Sequence, residues 1–314
     1  MELSRKDLRL LFELDQNSRQ SNLSLARKLR ISKNTVSASI DKLKKADVIG
    51  GFYAVIDVGK LGYRGIRVYL KLRQCPPKKR EQILSYLVKS KRVWWVGNID
   101  GDYDVGIVIW VKEPVEFEEF WAGFSSKFHK HIAGECVCVY TGLYDGTFGF
   151  LEPTRERKVY HVGGYSKTET TQNELAVLGE ISGNARVRTV DIAAKLGLSP
   201  LTVKGCVKKL YEKGVIRGFR VKLDLSALGY SIYKMNFRIA NLGSKKKMLV
   251  YALEKPNVIF IDESIGFADL EVSIACKTHL KFREFLDEFN GKFSREILGY
   301  SYFTYLKVHK IKHV

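Results

Sequence analysis

Ser32-Lys33-Asn34-Thr35-Val36, which runs on through Lys42-Leu43 to Val48-Ile49-Gly50-Gly51-Phe52, recurs 167 residues later. The second appearance reads Ser199-Pro200-Leu201-Thr202-Val203, then Lys209-Leu210 and Val215-Ile216-Arg217-Gly218-Phe219. Working outward, Asn17-Ser18-Arg19 returns as Asn184-Ala185-Arg186, and Asp57-x-x-x-Leu61-Gly62-Tyr63 as Asp224-x-x-x-Leu228-Gly229-Tyr230. Leu8–Tyr63 and Leu175–Tyr230 share 21 of 56 positions without a gap, far more than chance gives. Downstream the correspondence continues at a shift of 165: Gly101 with Gly266, Asp104 with Asp269, Phe117 with Phe282, Phe128 with Phe293, Gly134 with Gly299 and Tyr140 with Tyr305. A self-match of this length means one structural unit written twice.

Each copy opens with signals for three helices. Ser4-x-x-Asp7 and Thr171-x-x-Glu174 are capping boxes, in which a hydroxyl and a carboxylate satisfy the free N–H groups of a first turn. Leu8, Leu11 and Leu14, and likewise Leu175, Leu178 and Ile181, then fall at helical spacing. A short second helix follows at Leu23–Leu29 or Val190–Leu196. Gly197 suits the left-handed residue that ends it, whereas its counterpart Arg30 is a poorer fit. Ser32 and Ser199 are N-caps for a third helix, with Pro200 at the favoured first position. That helix buries Val36, Ile40 and Leu43, or Val203, Val207 and Leu210. A β-ribbon is expected through Ile49–Ile56 and Ile216–Leu223.

Three helices, a tight turn between the last two and a ribbon describe a winged helix-turn-helix, whose third helix enters the major groove of DNA. Its outward positions are Lys33, Asn34, Ser37, Ser39 and Asp41 in copy one, and Leu201, Lys204, Gly205, Lys208 and Lys209 in copy two. Lysines attract phosphates, and Asn34 and Ser37 suit base edges. The candidate DNA contacts are Lys33, Asn34, Ser37, Lys42, Lys204, Lys208 and Lys209. The alternative is a helical core that reads nothing.

The rest of each copy alternates strand and helix. Copy one reads as strands at Ile66–Leu72, Val93–Ile99, Val105–Val111 and Cys136–Thr141, with helices at Lys78–Lys89 and Val115–His131. Copy two reads as strands at Tyr233–Ala240, Val258–Ser264, Leu270–Cys276 and Ile297–Lys307, with helices at Lys245–Leu253 and Leu280–Phe293. This β-α-β-β-α-β order is ferredoxin-like, with helices on one face of an antiparallel sheet and the other face free to meet a second sheet. The fold class is therefore α+β, two copies of a winged helix-turn-helix plus a ferredoxin-like domain. The expected boundaries are 1–57 and 62–144 for copy one, a linker at 145–167, then 168–224 and 229–314.

Composition narrows the partners. The chain holds 314 residues, with 53 Lys plus Arg against 34 Asp plus Glu, a formal charge of +19. Split after Arg157, the halves carry +8 and +11, so the charge is no appended tail. Such a field attracts polyanions. Membrane docking lacks a basic amphipathic helix or lipidation signal, and no apolar run approaches the ~20 residues of a membrane span. No secretion signal is visible, and five cysteines without a C-x-x-C fit reduced thiols, so a cytoplasmic, nucleoid-associated location is expected.

Together these residues resemble the Lrp/AsnC (leucine-responsive, feast/famine) family of transcription regulators. The elements that carry the likeness are Leu8-x-x-Leu11, Asn17-x-Arg19, Leu25-Ala26, Ser32-x-x-Thr35-Val36, Ile40-x-x-Leu43, Val48-Ile49-x-Gly51-Phe52 and the loop Gly101-Asp102-Tyr103-Asp104. The resemblance implies a regulator that binds double-stranded DNA, here a dimer joined into one polypeptide with two non-identical heads and room for further homo-oligomerisation. It implies an amino-acid or other small-molecule effector near Gly101, Asp102, Tyr103 and Asp104. Copy two departs at that loop, reading Gly266-Phe267-Ala268-Asp269, and Ser39 and Cys206 stand where the family often has an arginine.

Other readings are open. A largely sequence-independent chromatin or nucleoid protein would also carry +19. Siroheme decarboxylases share the architecture, but their Ser-His-Cys-Tyr-type motif has no equivalent at Val93–Gly97 or Val258–Asp262. With no phosphate-loop, nucleophile-elbow or zincin motif, neither catalysis nor a cofactor is expected. His129-x-His131 with Cys136-x-Cys138 is the one metal-like constellation, at spacings unlike compact zinc sites, and no metal is expected there. Trp94-Trp95 reads as core strand, as the wall of a ligand pocket or as an oligomer contact. Pro76-Pro77-Lys78-Lys79-Arg80 and Lys245-Lys246-Lys247 read as solvated helix starts or as extra DNA contacts.

Overall fold

The computed structural model describes residues 3–164 and 166–311. Residues 1–2, 165 and 312–314, which belong to the expected first, linker and last segments, lie outside the described residues. Copy one comprises α1 (Arg5–Gln16), α2 (Asn22–Leu29), α3 (Lys33–Lys45), β1 (Ile49–Ile56), β2 (Arg64–Leu72), α4 (Pro77–Lys89), β3 (Val93–Asp100), β4 (Val105–Val111), α5 (Pro114–Phe128) and β5 (Ile132–Gly146). A short strand, β6 (Val159–Gly163), follows. Copy two comprises α6 (Gln172–Ser182), α7 (Thr189–Leu196), α8 (Pro200–Glu212), β7 (Ile216–Leu223), β8 (Ser231–Ile239), α9 (Lys245–Glu254), β9 (Val258–Ile265), β10 (Leu270–Cys276), α10 (His279–Lys292) and β11 (Ile297–Ile311).

The helix ends follow their caps. Both capping boxes close at α1 and α6, and the Ser32 and Ser199 hydroxyls each accept the backbone N–H three residues on at 3.0 Å. Arg30 and Gly197 both take the left-handed conformation, at φ 55 and 64, so the turn imposes it even where a side chain opposes it.

The wing differs from expectation. Each copy supplies a single eight-residue strand, too short for a hairpin, and β1 pairs antiparallel with β7 of the other copy. The ribbon is thus built by both halves, with Tyr53 directly opposite its repeat mate Arg220. Matching backbone bonds flank it on its two outer sides, Ser18 N–H to Phe219 O and Ala185 N–H to Phe52 O, both at 2.9 Å.

The two ferredoxin-like sheets meet as expected, and beyond that expectation they join at their edges. The strand order β2-β4-β3-β11-β8-β10-β9-β5, with β5 returning to β2, closes eight strands into a barrel, and β6 lies beyond β5. The cause is strand length. β5 and β11 each run 15 residues, so one half of each pairs within its own sheet and the other half crosses to the partner sheet. Closure leaves no unpaired edge among the eight barrel strands. Outside the barrel, α4 and α5 cover Val68, Leu70, Val96 and Ile107, and α9 and α10 cover Met235, Phe237, Val272 and Ile274. No helix of the described residues is long and apolar enough to cross a membrane.

The barrel interior is charged. Arg67 of copy one meets Glu271 at 2.5 Å and Asp262 at 3.5 Å, and Lys234 meets Glu271 at 3.1 Å and bonds Asp262. All four side chains are almost wholly buried. Tyr69 and Ser264 donate to the Glu271 carboxylate, and the Arg67 guanidinium lies 4.2 Å from the Tyr140 ring centre. Lys234 is the repeat mate of Arg67, but the mates of Asp262 and Glu271 are Gly97 and Gly106. There the Trp95 ring fills the space: a Cβ on Gly97 would meet it at 2.4 Å and one on Gly106 at 3.0 Å.

Within the segment expected as a linker, Asp145, Phe148 and Tyr160 are held by a second buried cluster and its neighbours. Arg220 from the ribbon grips Asp15 of α1 at 2.8 and 2.9 Å and bonds Asp145 at the end of β5. The Asp15 carboxylate also accepts the Phe148 N–H at 2.6 Å. Tyr160 donates to Gln16 O, tying β6 to α1.

Removing one member of the barrel cluster leaves buried charge uncompensated. Glu271→Ala is expected to cost about 3–5 kcal/mol in chemical denaturation, with Asp287→Ala at the exposed Arg283 pair a near-silent control. Burial pushes Asp145 up to about 6, against the pull of Arg220 and with Asp15 adding to the rise. The folded state then holds a proton that the unfolded state has released between about pH 4 and 6, so this contribution falls as pH rises through that window. The stability difference between the native chain and Asp145→Asn, measured across pH 4 to 7, should shrink in that sense.

Candidate nucleic-acid interface

The two helix-turn-helix heads are stapled to one another by the repeated Asn-x-Arg. Asn17 and Asn184 accept the N–H groups of Arg19 and Arg186, fixing each turn. Arg19 then reaches across to Ala185 O at 2.7 Å, and Arg186 reaches back to Ser18 O at 2.8 Å and to the Asn22 amide oxygen at 2.6 Å. Each guanidinium also lies over a phenylalanine of the opposite ribbon strand, Arg19 over Phe219 and Arg186 over Phe52. In the sequence these arginines carry only a family resemblance. Their use as cross-copy clasps depends on the exchanged ribbon, which no local pattern reveals.

Held this way, α3 and α8 each bury one apolar stripe, Val36, Ile40 and Leu43 or Val203, Cys206 and Leu210. On α8 the buried middle position is Cys206, with the expected Val207 only partly buried. Lys33, Asn34 and Ser37 are exposed on the first two turns of α3, and Lys204, Lys208 and Lys209 on α8. Lys42 stands apart: its ammonium pairs with the buried Asp7 carboxylate at 3.2 Å, bracing α3 against the start of α1. In copy two that brace is made by Lys213, which meets Glu174 at 2.8 Å. Lys208 has a 3.6 Å pairing with Glu212 one turn on, between exposed groups. Exposed Lys44 and Lys45 extend the basic surface of α3 beyond the residues singled out from sequence. A surface of lysines with one amide and one hydroxyl attracts phosphates and offers hydrogen bonds to base edges.

The loop Gly101–Asp104 joins β3 to β4 at one mouth of the barrel. Asp102 is exposed, and Gly101 adopts φ 143 where a Cβ would meet Phe303 and the Tyr302 carbonyl at 3.0 Å. Tyr103 is half-buried, its ring stacked 5.5 Å from Tyr69 and edge-on to Phe267 of copy two. Burial pushes its phenol up to about 12, so it stays protonated. Asp104 accepts the Leu72 N–H at 2.8 Å, and its repeat mate Asp269 accepts the Ile239 N–H at the same distance. The repeated aspartate therefore has a loop-anchoring role common to both copies.

His129 and His131 turn to the backbone carbonyls of Ser125 and Gln74, while Cys138 faces the barrel interior. Among the described residues no group of three or more His, Cys, Asp or Glu is arranged to hold a metal ion. Trp95 fills the barrel, and Trp94 stacks on Trp110 at 5.2 Å.

A family profile described as winged helix-turn-helix DNA-binding matches residues 3–49 and again 170–217. An uncharacterised HTH-type transcriptional regulator of Pyrococcus horikoshii is 30% identical over 120 residues, 38% of this chain and 75% of that protein. The HTH-type transcriptional regulator Ptr1 of Methanocaldococcus jannaschii is 29% identical over 123 residues, 38% of this chain and 80% of its own length. The leucine-responsive regulatory protein of Rhizobium meliloti is 36% identical over 66 residues, 21% of this chain and 42% of its own. Among solved structures, the siroheme decarboxylase NirDL superposes with a TM-score of 0.67 at 12% identity, covering 98% of this chain and 93% of that one, a likeness of fold.

If α8 meets phosphates through its lysines, Lys204→Gln, Lys208→Gln and Lys209→Gln together should flatten the salt dependence of duplex binding, by about 0.9 in log–log slope for each phosphate no longer neutralised. Sequence preference should stay as it was. A changed preference with an unchanged slope would refute phosphate anchoring by this helix.

Proposed function

Because this chain belongs to the Lrp/AsnC-like family of helix-turn-helix transcription regulators, with two helix-turn-helix repeats in one polypeptide, we propose that it reads a bipartite operator with two unequal heads. The observation that carries the reading is the pairing of non-identical recognition surfaces, Lys33, Asn34 and Ser37 on α3 and Lys204, Lys208 and Lys209 on α8, across one shared ribbon. Copy one has side chains suited to base edges, and copy two is dominated by cations that grip phosphates. In a homodimer both half-sites must be alike, whereas a fused pair accepts an asymmetric operator.

Regulation by an amino acid or similar small molecule near Gly101, Asp102, Tyr103 and Asp104 belongs to the same reading. Support is limited to copy one, where Asp102 is exposed and the Asp104 carboxylate lies near Lys71 at 3.7 Å. In copy two Phe267 packs on Tyr69 and Tyr103 instead. The fold likeness to a siroheme decarboxylase motivates a second reading, but the corresponding strands here offer no His, Cys or Tyr at Val93–Gly97 or Val258–Asp262. The residues present do not fit that chemistry, and a purified chain without haem-like absorbance after incubation with an iron porphyrin would agree.

The deciding experiment is selection of bound genomic fragments at low and near-physiological salt. The expected result is a recurrent motif with two unlike half-sites that survives the higher salt. Uniform recovery that collapses with salt would replace the regulator with a packaging protein, whose affinity is almost wholly phosphate-borne.

A further inference from the structure

Leu201 is 79% exposed, the most exposed large apolar side chain among the described residues. It stands in the first turn of α8 at the place Asn34 holds in α3. The two helices begin alike: Ser32 and Ser199 accept the Thr35 and Thr202 N–H groups at the same 3.0 Å, and each serine hydroxyl lies 2.8 Å from its threonine hydroxyl. The exchange of an amide for an isobutyl group therefore occurs at a matched position, and the described residues leave the leucine largely uncovered.

One turn on, Gly205 lies on the same face, with Lys204 beside it and Lys208 a turn further. Its counterpart in α3 is Ala38. Glycine inside a helix weakens it relative to alanine, and the fold has no need of it here. Gly205 is not among the residues at positive φ, and a Cβ built on it would meet nothing within 4 Å. An unpacked leucine and an unneeded glycine thus share one outward face flanked by two lysines. Together they make an apolar knob beside a notch, bordered by cations.

A duplex offers one apolar group in the major groove, the C5 methyl of thymine, and leucine has no hydrogen bond to give the other bases. We propose that Leu201 reads thymine methyls in the half-site under the second head, with Gly205 giving the clearance for close approach and Lys204 and Lys208 holding the flanking phosphates. The first head, with Asn34 at the same place, reads a hydrogen-bonding base edge. This deepens the two-headed reading above and rests on it.

The test uses the full chain with two probes, a fragment recovered by the selection and a random-sequence duplex, each made with thymidine or deoxyuridine, which lacks only the methyl. Deoxyuridine in one half-site should weaken binding about fourfold per methyl touched, with no such loss in the other half-site. Leu201→Ala should bind both forms alike. Gly205→Ala should raise the melting temperature while weakening binding, a combination that a purely structural glycine would not produce. Equal binding of both forms by the native chain, or the same loss in Leu201→Ala, overturns the proposal. A thymidine preference on the random duplex without any recurrent motif would uphold methyl reading while defeating the specific-regulator reading.

Discussion

Four charges sealed inside a closed barrel hold the two halves of this chain together. Arg67 comes from copy one, and Lys234, Asp262 and Glu271 come from copy two. Buried ions are tolerated only when paired and hydrogen-bonded. Two copy-one sheets facing each other would enclose two arginines with no acid, because Gly97 and Gly106 stand at the acidic positions. Two copy-two sheets would enclose two lysines with four carboxylates. Only the mixed pairing is neutral, so the diverged repeat is matched to its neighbour in the chain and ill-matched to itself.

The heads inherit this pairing from the barrel. Their ribbon is made of one strand from each copy, and Arg19 and Arg186 clasp it from opposite sides with nearly equal geometry. The symmetry is broken where Arg220 stands opposite Tyr53. Arg220 ties α1 and the end of β5 into one buried cluster, whereas its mate across the ribbon is Tyr53. The segment between the copies packs beside this cluster, through Phe148 on Asp15 and Tyr160 on Gln16. One head is therefore fastened to the barrel by an ionic clamp that the repeat does not supply to the other. This unequal mounting accompanies unequal recognition surfaces, an amide in α3 where α8 has a leucine.

Much of this was legible in the chain and some was not, for identifiable reasons. Capping boxes, serine N-caps and apolar stripes are local, so Ser4, Thr171, Ser32 and Ser199 announce their helices correctly. Arg30 is a weak C-cap by propensity, yet the tight turn imposes the left-handed conformation that Gly197 adopts freely. The ends of β5 and β11 extend past their expected bounds because their second halves pair with the other copy, and the outward residues there lack a simple alternation. Arg67 looks like an ordinary strand residue, since a cation in a strand that also carries Arg64 and Lys71 does not reveal that its acids lie about 200 residues away. Asp104 reads as a ligand group, and its loop-anchoring bond emerges only beside the matching bond of Asp269. Lys42 reads as a DNA contact, and its pairing with Asp7 depends on how α3 crosses α1.

By itself the sequence determined that a unit occurs twice, which residues start and stop its helices, which faces are apolar, and that the surface is strongly basic. These follow from spacing and chemistry within a few turns of chain, where neighbours in sequence are neighbours in space. Only the tertiary structure decided that the ribbon is shared, that two sheets become one barrel, and that the barrel is filled with charge on one side and tryptophan on the other. Those outcomes rest on pairings between residues about 165–205 positions apart. Their free energy depends on burial and on pairing of opposite charges, and neither exists until the chain has folded back on its own second copy.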